Sequence, residues 1–149
     1  MIRCATRDDV EAMARVHWLS SNTAYDRDDP FERRLAATRD AVEMEDVRSF
    51  VADDGGEVVG IAHVGPAVLY ALYVHPERWG TGVGQALIEE AQRALASTCD
   101  EAELTVLQGN ARARCFYERN GWWLVEELTE EHFGGEPTNV ARYRRRFGK

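Results

Sequence analysis

The sequence predicts one α/β domain with a mixed sheet. Three observations carry that reading. Apolar, β-rich runs alternate with stretches whose apolar residues recur at helical spacing, clusters of Gly, Pro, Asn and Asp punctuate them, and 149 residues suit one hydrophobic core rather than two. With 44% apolar and 30% charged residues, the composition is that of an ordinary globular protein. No repeat, low-complexity tract or composition break marks a linker, so a single domain over residues 1–149 is expected.

Ile2 to Ala5 is a short strand candidate. Thr6 followed three residues later by Asp9 has capping-box spacing and opens a helix along which Val10, Met13, Ala14, His17 and Trp18 share a face. On that face His17 reads as a boundary residue of the packing. Ser20 to Asp28, polar apart from Ala24 and Tyr25, reads as a loop able to line a pocket. Asp29, Pro30 and Glu32 mark a second helix start, with Phe31, Leu35, Thr38 and Val42 as its inner stripe.

Val47 to Ala52 and Val58 to Val64 form a hairpin across Asp53-Asp54-Gly55-Gly56. Val68 to Val74 is apolar at both parities, which predicts a central strand covered on both faces and the most buried of the set. Val83, Leu87, Ala91, Ala94 and Leu95 then line one side of a helix ending near Ser97. A strand over Glu103 to Leu107, a helix from Ala111 to Arg119 and strands over Trp122 to Leu128 and Val140 to Phe147 complete the order, with Thr129 to Asn139 as a loop.

The net charge of −8 repels polyanions, so a nucleic-acid binder is disfavoured unless the run at Arg142, Arg144, Arg145 and Arg146 overrides it. Cys4, Cys99 and Cys115 cannot all pair within the chain and do not have the spacing of a metal cluster. No apolar run approaches the ~20 residues that span a bilayer. These features predict a cytoplasmic protein with neither membrane nor metal partner.

The sharpest signal is His75-Pro76-Glu77-Arg78-Trp79-Gly80-Thr81-Gly82-Val83-Gly84, between an apolar strand and an amphipathic helix. Closely spaced glycines let backbone amides converge on a ligand, and a helix start adds unpaired N–H groups and a positive dipole end, which suit a diphosphate. The same turn serves helix packing alone in the competing reading. A Walker A loop requires Lys and Ser or Thr after its last glycine, whereas Gln85 and Ala86 follow Gly84. A dinucleotide fingerprint belongs after the first strand, and this turn is in mid-chain.

Leu72-Tyr73-Val74-His75-Pro76 followed by Trp79-Gly80-Thr81-Gly82-Val83-Gly84 resembles the cofactor motif of the GCN5-related N-acetyltransferases, with Trp79 at the position usually held by Gln or Arg. The stretch from Leu107 to Trp122 is similar to the second cofactor segment of that family, in which an Asn precedes a helix carrying a Tyr and ending in Asn-Gly. The element order from Ile2 to Phe147 also resembles the whole family domain. The resemblance implies a mostly antiparallel sheet of six or seven strands with helices on both faces.

It further implies acetyl-CoA as donor and a primary amine, of a small molecule or a peptide, as acceptor. The backbone of Trp79, Gly80, Thr81, Gly82, Val83, Gly84 and Gln85 would cradle the diphosphate, and pantetheine would pair along Leu72, Tyr73 and Val74 beside a splay in the sheet. Asn110, Arg112, Ala113, Phe116 and Tyr117 would hold the other side of the cofactor. A backbone N–H near Val74 would stabilise the oxyanion. Tyr117 matches the family's general acid, and an unperturbed phenol pKa of about 10 suits proton donation.

No Asp or Glu occurs in Val68 to Val74, where many members of the family place an acid, so the base candidates are His63, Glu103 and His132. Tyr25, Asp26, Asp28 and Glu130 to Phe133, including His132, are the acceptor-side candidates. Two alternatives accompany the enzyme reading: a noncatalytic acyl-CoA-binding domain, and a homodimer module that uses its last strands.

Overall fold

The computed structural model describes residues 1–25, 30–130 and 137–148, apart from the side chains of Ala24 and Tyr25. The elements are β1 Ile2–Cys4, α1 Val10–Tyr25, α2 Phe31–Glu43, β2 Arg48–Asp54, β3 Glu57–Val64, β4 Leu69–Val74, α3 Val83–Ala96, β5 Glu101–Leu107, α4 Ala111–Arg119, β6 Trp123–Glu130 and β7 Thr138–Arg146. Short 3-10 turns at Arg7–Asp9 and Pro76–Arg78 precede α1 and α3. The strands form two antiparallel sheets, ordered β1-β2-β3-β4 and β5-β7-β6. A single parallel bridge, Val68 with Glu103, joins them, supported by the Glu103 amide donating to the Ala67 carbonyl at 3.0 Å. Beyond that bridge β4 and β5 part, and the expected mixed sheet becomes two halves around a splay.

Two apolar clusters cover the four-stranded half. One sets Leu87, Ile88, Ala91 and Leu95 of α3 against Phe50, Ala62 and Val64, and continues through Leu104, Tyr117 and Tyr143 into the second half. Burying Leu87 completely stabilises the fold by roughly 2 kcal/mol. The other places Met13 and Val16 of α1 on Val51 and Ile61. Helices therefore occupy both faces. α3 approaches β3 at Gly60, where an added Cβ would lie 2.6 Å from Leu87 Cδ1.

The Thr6–Asp9 cap is present: the Asp9 carboxylate accepts from the Thr6 amide at 2.8 Å and is gripped by Arg3 through both oxygens. Three expectations change. Ser20 to Tyr25 is helical rather than loop, because Ser20 and Ser21 are buried and tertiary contacts override the weak helix propensity of the run. Pro30 sits at the cap of α2 instead of in its first turn, and Asp26, Asp28 and Asp29 lie outside the described residues. β4 is not the most buried strand: Tyr70 is 58% exposed, while β3 is buried from Val59 onward, because the outer edge of β4 opens onto the splay.

The basic run on β7 is answered by neighbouring strands. Arg142 pairs with Glu126 at 3.2 Å and Arg144 with Glu103 at 3.8 Å, so two of the four cations in that run are offset, while Arg145 donates to the Asn120 carbonyl at 2.8 Å. The three cysteines are free thiols. No helix among the described residues is long and apolar enough to cross a membrane. β6 is a sheet edge, with Trp123, Leu124 and Val125 exposed.

Candidate active site

The splay between β4 and β5 is the floor of a cleft of about 1120 Å³. Its walls are β4, the turn from Arg78 to Gln85, β5, α4, and the facing parts of α1 and α2. Strand alternation sets what β4 offers. The His75 amide donates to the Val59 carbonyl at 2.8 Å, pointing toward β3, so the amides of Val74 and Leu72 point the other way, into the cleft. One lone pair of the Val74 carbonyl is taken by Trp79 Nε1 at 2.8 Å.

Gly80 and Gly82 have φ of 79° and 93°, left-handed values that a Cβ would strain. Gly82 caps α3, and a Cβ added there would meet no protein atom within 4 Å, so the space above the turn is open. The first helical bond runs from the Ala86 amide to the Gly82 carbonyl at 3.1 Å. The amides of Val83, Gly84 and Gln85 precede it and lack helical partners, forming an anion seat at the positive end of the α3 dipole. Arg112 and Arg119 line the cleft beside this seat. Arg112 is stacked on Trp79 at 3.9 Å, whereas Arg78 is committed to Asp54 at 2.5 Å and to Glu57 at 3.7 Å.

Asn110 caps α4, its Oδ1 accepting from the Ala113 amide at 3.1 Å. That cap, and a T-shaped contact of Tyr117 with Trp122 at 6.2 Å, orient the helix so that Ala113, Phe116 and Tyr117 line the wall facing β4. Tyr117 is only 8% exposed.

The profile of the acetyltransferase (GNAT) domain matches residues 45–123, more than half of the sequence. The chain belongs to the GNAT acetyltransferase family. The fold agrees with solved structures of that family. A GCN5-related N-acetyltransferase from Rhodopseudomonas palustris is similar at TM-score 0.80 and 22% identity, covering 99% of this chain and 95% of its own. PaiA N-acetyltransferase from Thermoplasma acidophilum, solved with coenzyme A, matches at TM-score 0.73 and 19% identity over 99% and 98% of the two chains. YncA from Salmonella typhimurium, solved with its cofactor acetyl-CoA, matches at TM-score 0.77 and 18% identity over 100% and 94%.

In this acetyltransferase the structure brings Leu72, Tyr73, Val74, Trp79, Gly80, Gly82, Gly84, Gln85, Asn110, Arg112, Ala113, Phe116 and Tyr117 to one cleft. Thr81 and Val83 belong to the same turn without lining it; Thr81 Oγ1 donates to the Arg78 carbonyl and Val83 packs inward against the α3 core cluster. His63 and Glu103 are not brought there. His63 is 4% exposed on the α1 face of β3, bonded through Nδ1 to Ser49 Oγ at 2.7 Å, and burial with the Arg34 charge lowers its pKa to about 4. Glu103 sits at the closed end of the splay, beside Arg144. Asp26 and His132 lie outside the described residues, as does the side chain of Tyr25.

Ser20 and Ser21 line the cleft as the polar run to which they belong suggests, though from a helix, whereas sequence reasoning missed His17 and Arg34 as cleft residues of the acetyltransferase. His17 stacks on Tyr73 at a centroid distance of 4.0 Å, and burial, followed by the charges of Arg34 and His63, lowers its pKa to about 2. No local signal marked His17 or Arg34, since the alignment of α1 with α2 over the cleft depends on tertiary contacts.

Proposed function

We propose that this protein transfers the acetyl group of acetyl-CoA to a primary amine by direct attack of the amine. One observation carries the reading: the outward amides of Leu72 and Val74 border the same cleft as the anion seat before α3 and the Tyr117 wall. The donor supplies a thioester whose carbonyl carbon accepts the amine while the C–S bond breaks. The Val83 to Gln85 amides, with Arg112, bind its diphosphate. The edge of β4 holds the pantetheine amides at Leu72 and Val74. The Val74 N–H donates toward the thioester oxygen as negative charge develops there. Tyr117 donates its phenolic proton to the departing sulfur, and the surplus proton on the acylated nitrogen leaves through water, which returns a proton to the phenolate. The three free thiols suit a reducing, cytoplasmic setting.

Calorimetry with acetyl-CoA and an assay of free CoA release with amines test this reading. Binding with amine-dependent release supports it. Binding without release across a broad amine panel identifies a noncatalytic acyl-CoA-binding domain, and absence of binding at millimolar acetyl-CoA overturns the donor assignment.

A further inference from the structure

The helix that presents Tyr117 is short. α4 has nine residues, below the ~12–15 at which an isolated helix becomes even marginal, and Tyr117 is the one residue it buries. Apolar packing therefore holds α4 weakly, and specific bonds must fix its rotation and its position along its axis. Ala113, Phe116 and Tyr117 line the cleft, whereas Arg114 and Glu118, one turn apart on the adjoining face, turn to the second sheet.

Both reach the same atom. The hydroxyl of Tyr143 on β7, a residue 0% exposed, accepts from Arg114 Nε at 2.9 Å and donates to Glu118 Oε2 at 2.7 Å. Burial, followed by the bond to Glu118, raises the pKa of this phenol above its ordinary value, so the hydroxyl keeps the proton it donates. The Arg114 guanidinium also donates to the Gln108 carbonyl at 3.0 Å and to Glu127 at 2.8 Å. Its planar fork thus ties α4 to the end of β5, to β6 and to β7 in three fixed directions. Two points one turn apart, bound to one buried hydroxyl, resist both sliding and rolling of the helix.

Proton transfer from Tyr117 demands such restraint. A phenol serves a departing sulfur only within hydrogen-bond reach, and a 1 Å misplacement costs on the order of 100-fold in rate. Tyr117 lies three residues after Arg114 and directly before Glu118, so a roll of α4 that breaks either bond swings the Tyr117 ring along the cleft wall. We propose that Arg114, Tyr143 and Glu118 are positioning residues for acyl transfer, placing the Tyr117 hydroxyl without touching donor or acceptor. This deepens the reading of Tyr117 as general acid and rests on it.

The test places Tyr143→Phe in two backgrounds, wild type and Tyr117→Phe, and follows CoA release from acetyl-CoA with the amine of the panel that is turned over best. In the wild-type background kcat should fall about tenfold, while acetyl-CoA affinity by calorimetry and KM for the amine stay within about threefold. In the Tyr117→Phe background the further loss should be below about twofold, because the group being positioned is already gone. Arg114→Lys keeps the charge without the fork and should behave as Tyr143→Phe does. Glu118→Ala should lower kcat, and Glu118→Gln, whose amide oxygen still accepts from Tyr143, should recover most of it. If Tyr143→Phe fails to fold, the two Glu118 variants in the same two backgrounds decide. An unchanged kcat in the folded variant, an equal loss in both backgrounds, or a loss confined to affinity overturns the positioning role alone. Wild-type kcat in Tyr117→Phe overturns the acid reading as well, and no turnover of any amine overturns the transfer reading with both.

Discussion

The guanidinium of Arg112 lies 3.9 Å from the centroid of the Trp79 indole, linking the first turn of α4 to the turn before α3. The same indole donates to the Val74 carbonyl, so one ring ties the anion seat, the edge of β4 and the facing helix together. Where the family motif usually carries Gln or Arg, this chain carries an aromatic platform and brings the cation from α4. Arg112→Ala is expected to weaken acetyl-CoA binding about tenfold, the scale of one charge-assisted hydrogen bond, with little change in melting temperature. Trp79→Phe keeps the ring face, loses the Nε1 bond, and should weaken binding less. Calorimetry on both variants checks this, and wild-type affinity in Arg112→Ala would remove Arg112 from the donor site.

Tyr117 occupies a buried position between Phe116 and Trp122, so Tyr117→Phe retains its packing. The variant should keep the wild-type melting temperature and acetyl-CoA affinity while kcat falls by about 100-fold or more. A kcat that stays within a factor of two across the pH range would show that the leaving sulfur takes its proton from elsewhere.

Two glycines separate binding from folding. Gly82→Ala places a Cβ in open space at a φ of 93°, which costs on the order of 1–2 kcal/mol in strain and intrudes on the anion seat. Its acetyl-CoA affinity should fall by more than its stability predicts. Gly60→Ala drives a Cβ to 2.6 Å from Leu87 and should destabilise by about 1–3 kcal/mol, with affinity at a temperature where the variant is folded left unchanged. Equal effects of the two substitutions on acetyl-CoA titrations would contradict this division.

His63 links stability to pH. Its folded pKa of about 4 lies below the unfolded value near 6.5, so the unfolded chain takes up this proton first as pH falls. The stabilisation from the neutral ring is complete above 6.5 and is lost between 6.5 and 4, by about 3 kcal/mol in total. His17, depressed further, adds to the same slope. Melting temperatures from pH 8 to pH 4 should fall most steeply below 6.5, and His63→Gln, which can still bond Ser49, should flatten that fall. Parallel curves for the two proteins would exclude His63 as the source.

Much of this protein is legible in one dimension because the forces that set its elements act over a few residues. The spacing of Val83, Leu87, Ala91 and Leu95 defines α3, Thr6 with Asp9 defines a cap, and the glycines after β4 define a turn able to present amides. The second segment, from Asn110 to Tyr117, is equally local, so both cofactor stretches stand out before any fold is known. Tertiary structure alone decided what those pieces face. The parting of β4 from β5 beyond Val68 and Glu103 exposed a strand whose composition reads as fully buried. The same contacts extended α1 through Ser20 and Ser21, turned His17 and Arg34 toward the cleft, and withdrew His63 beneath the α1–α2 layer. Burial and charge at these positions are sums over neighbours distant in sequence, and hydrophobic periodicity contains no information about which neighbours those are.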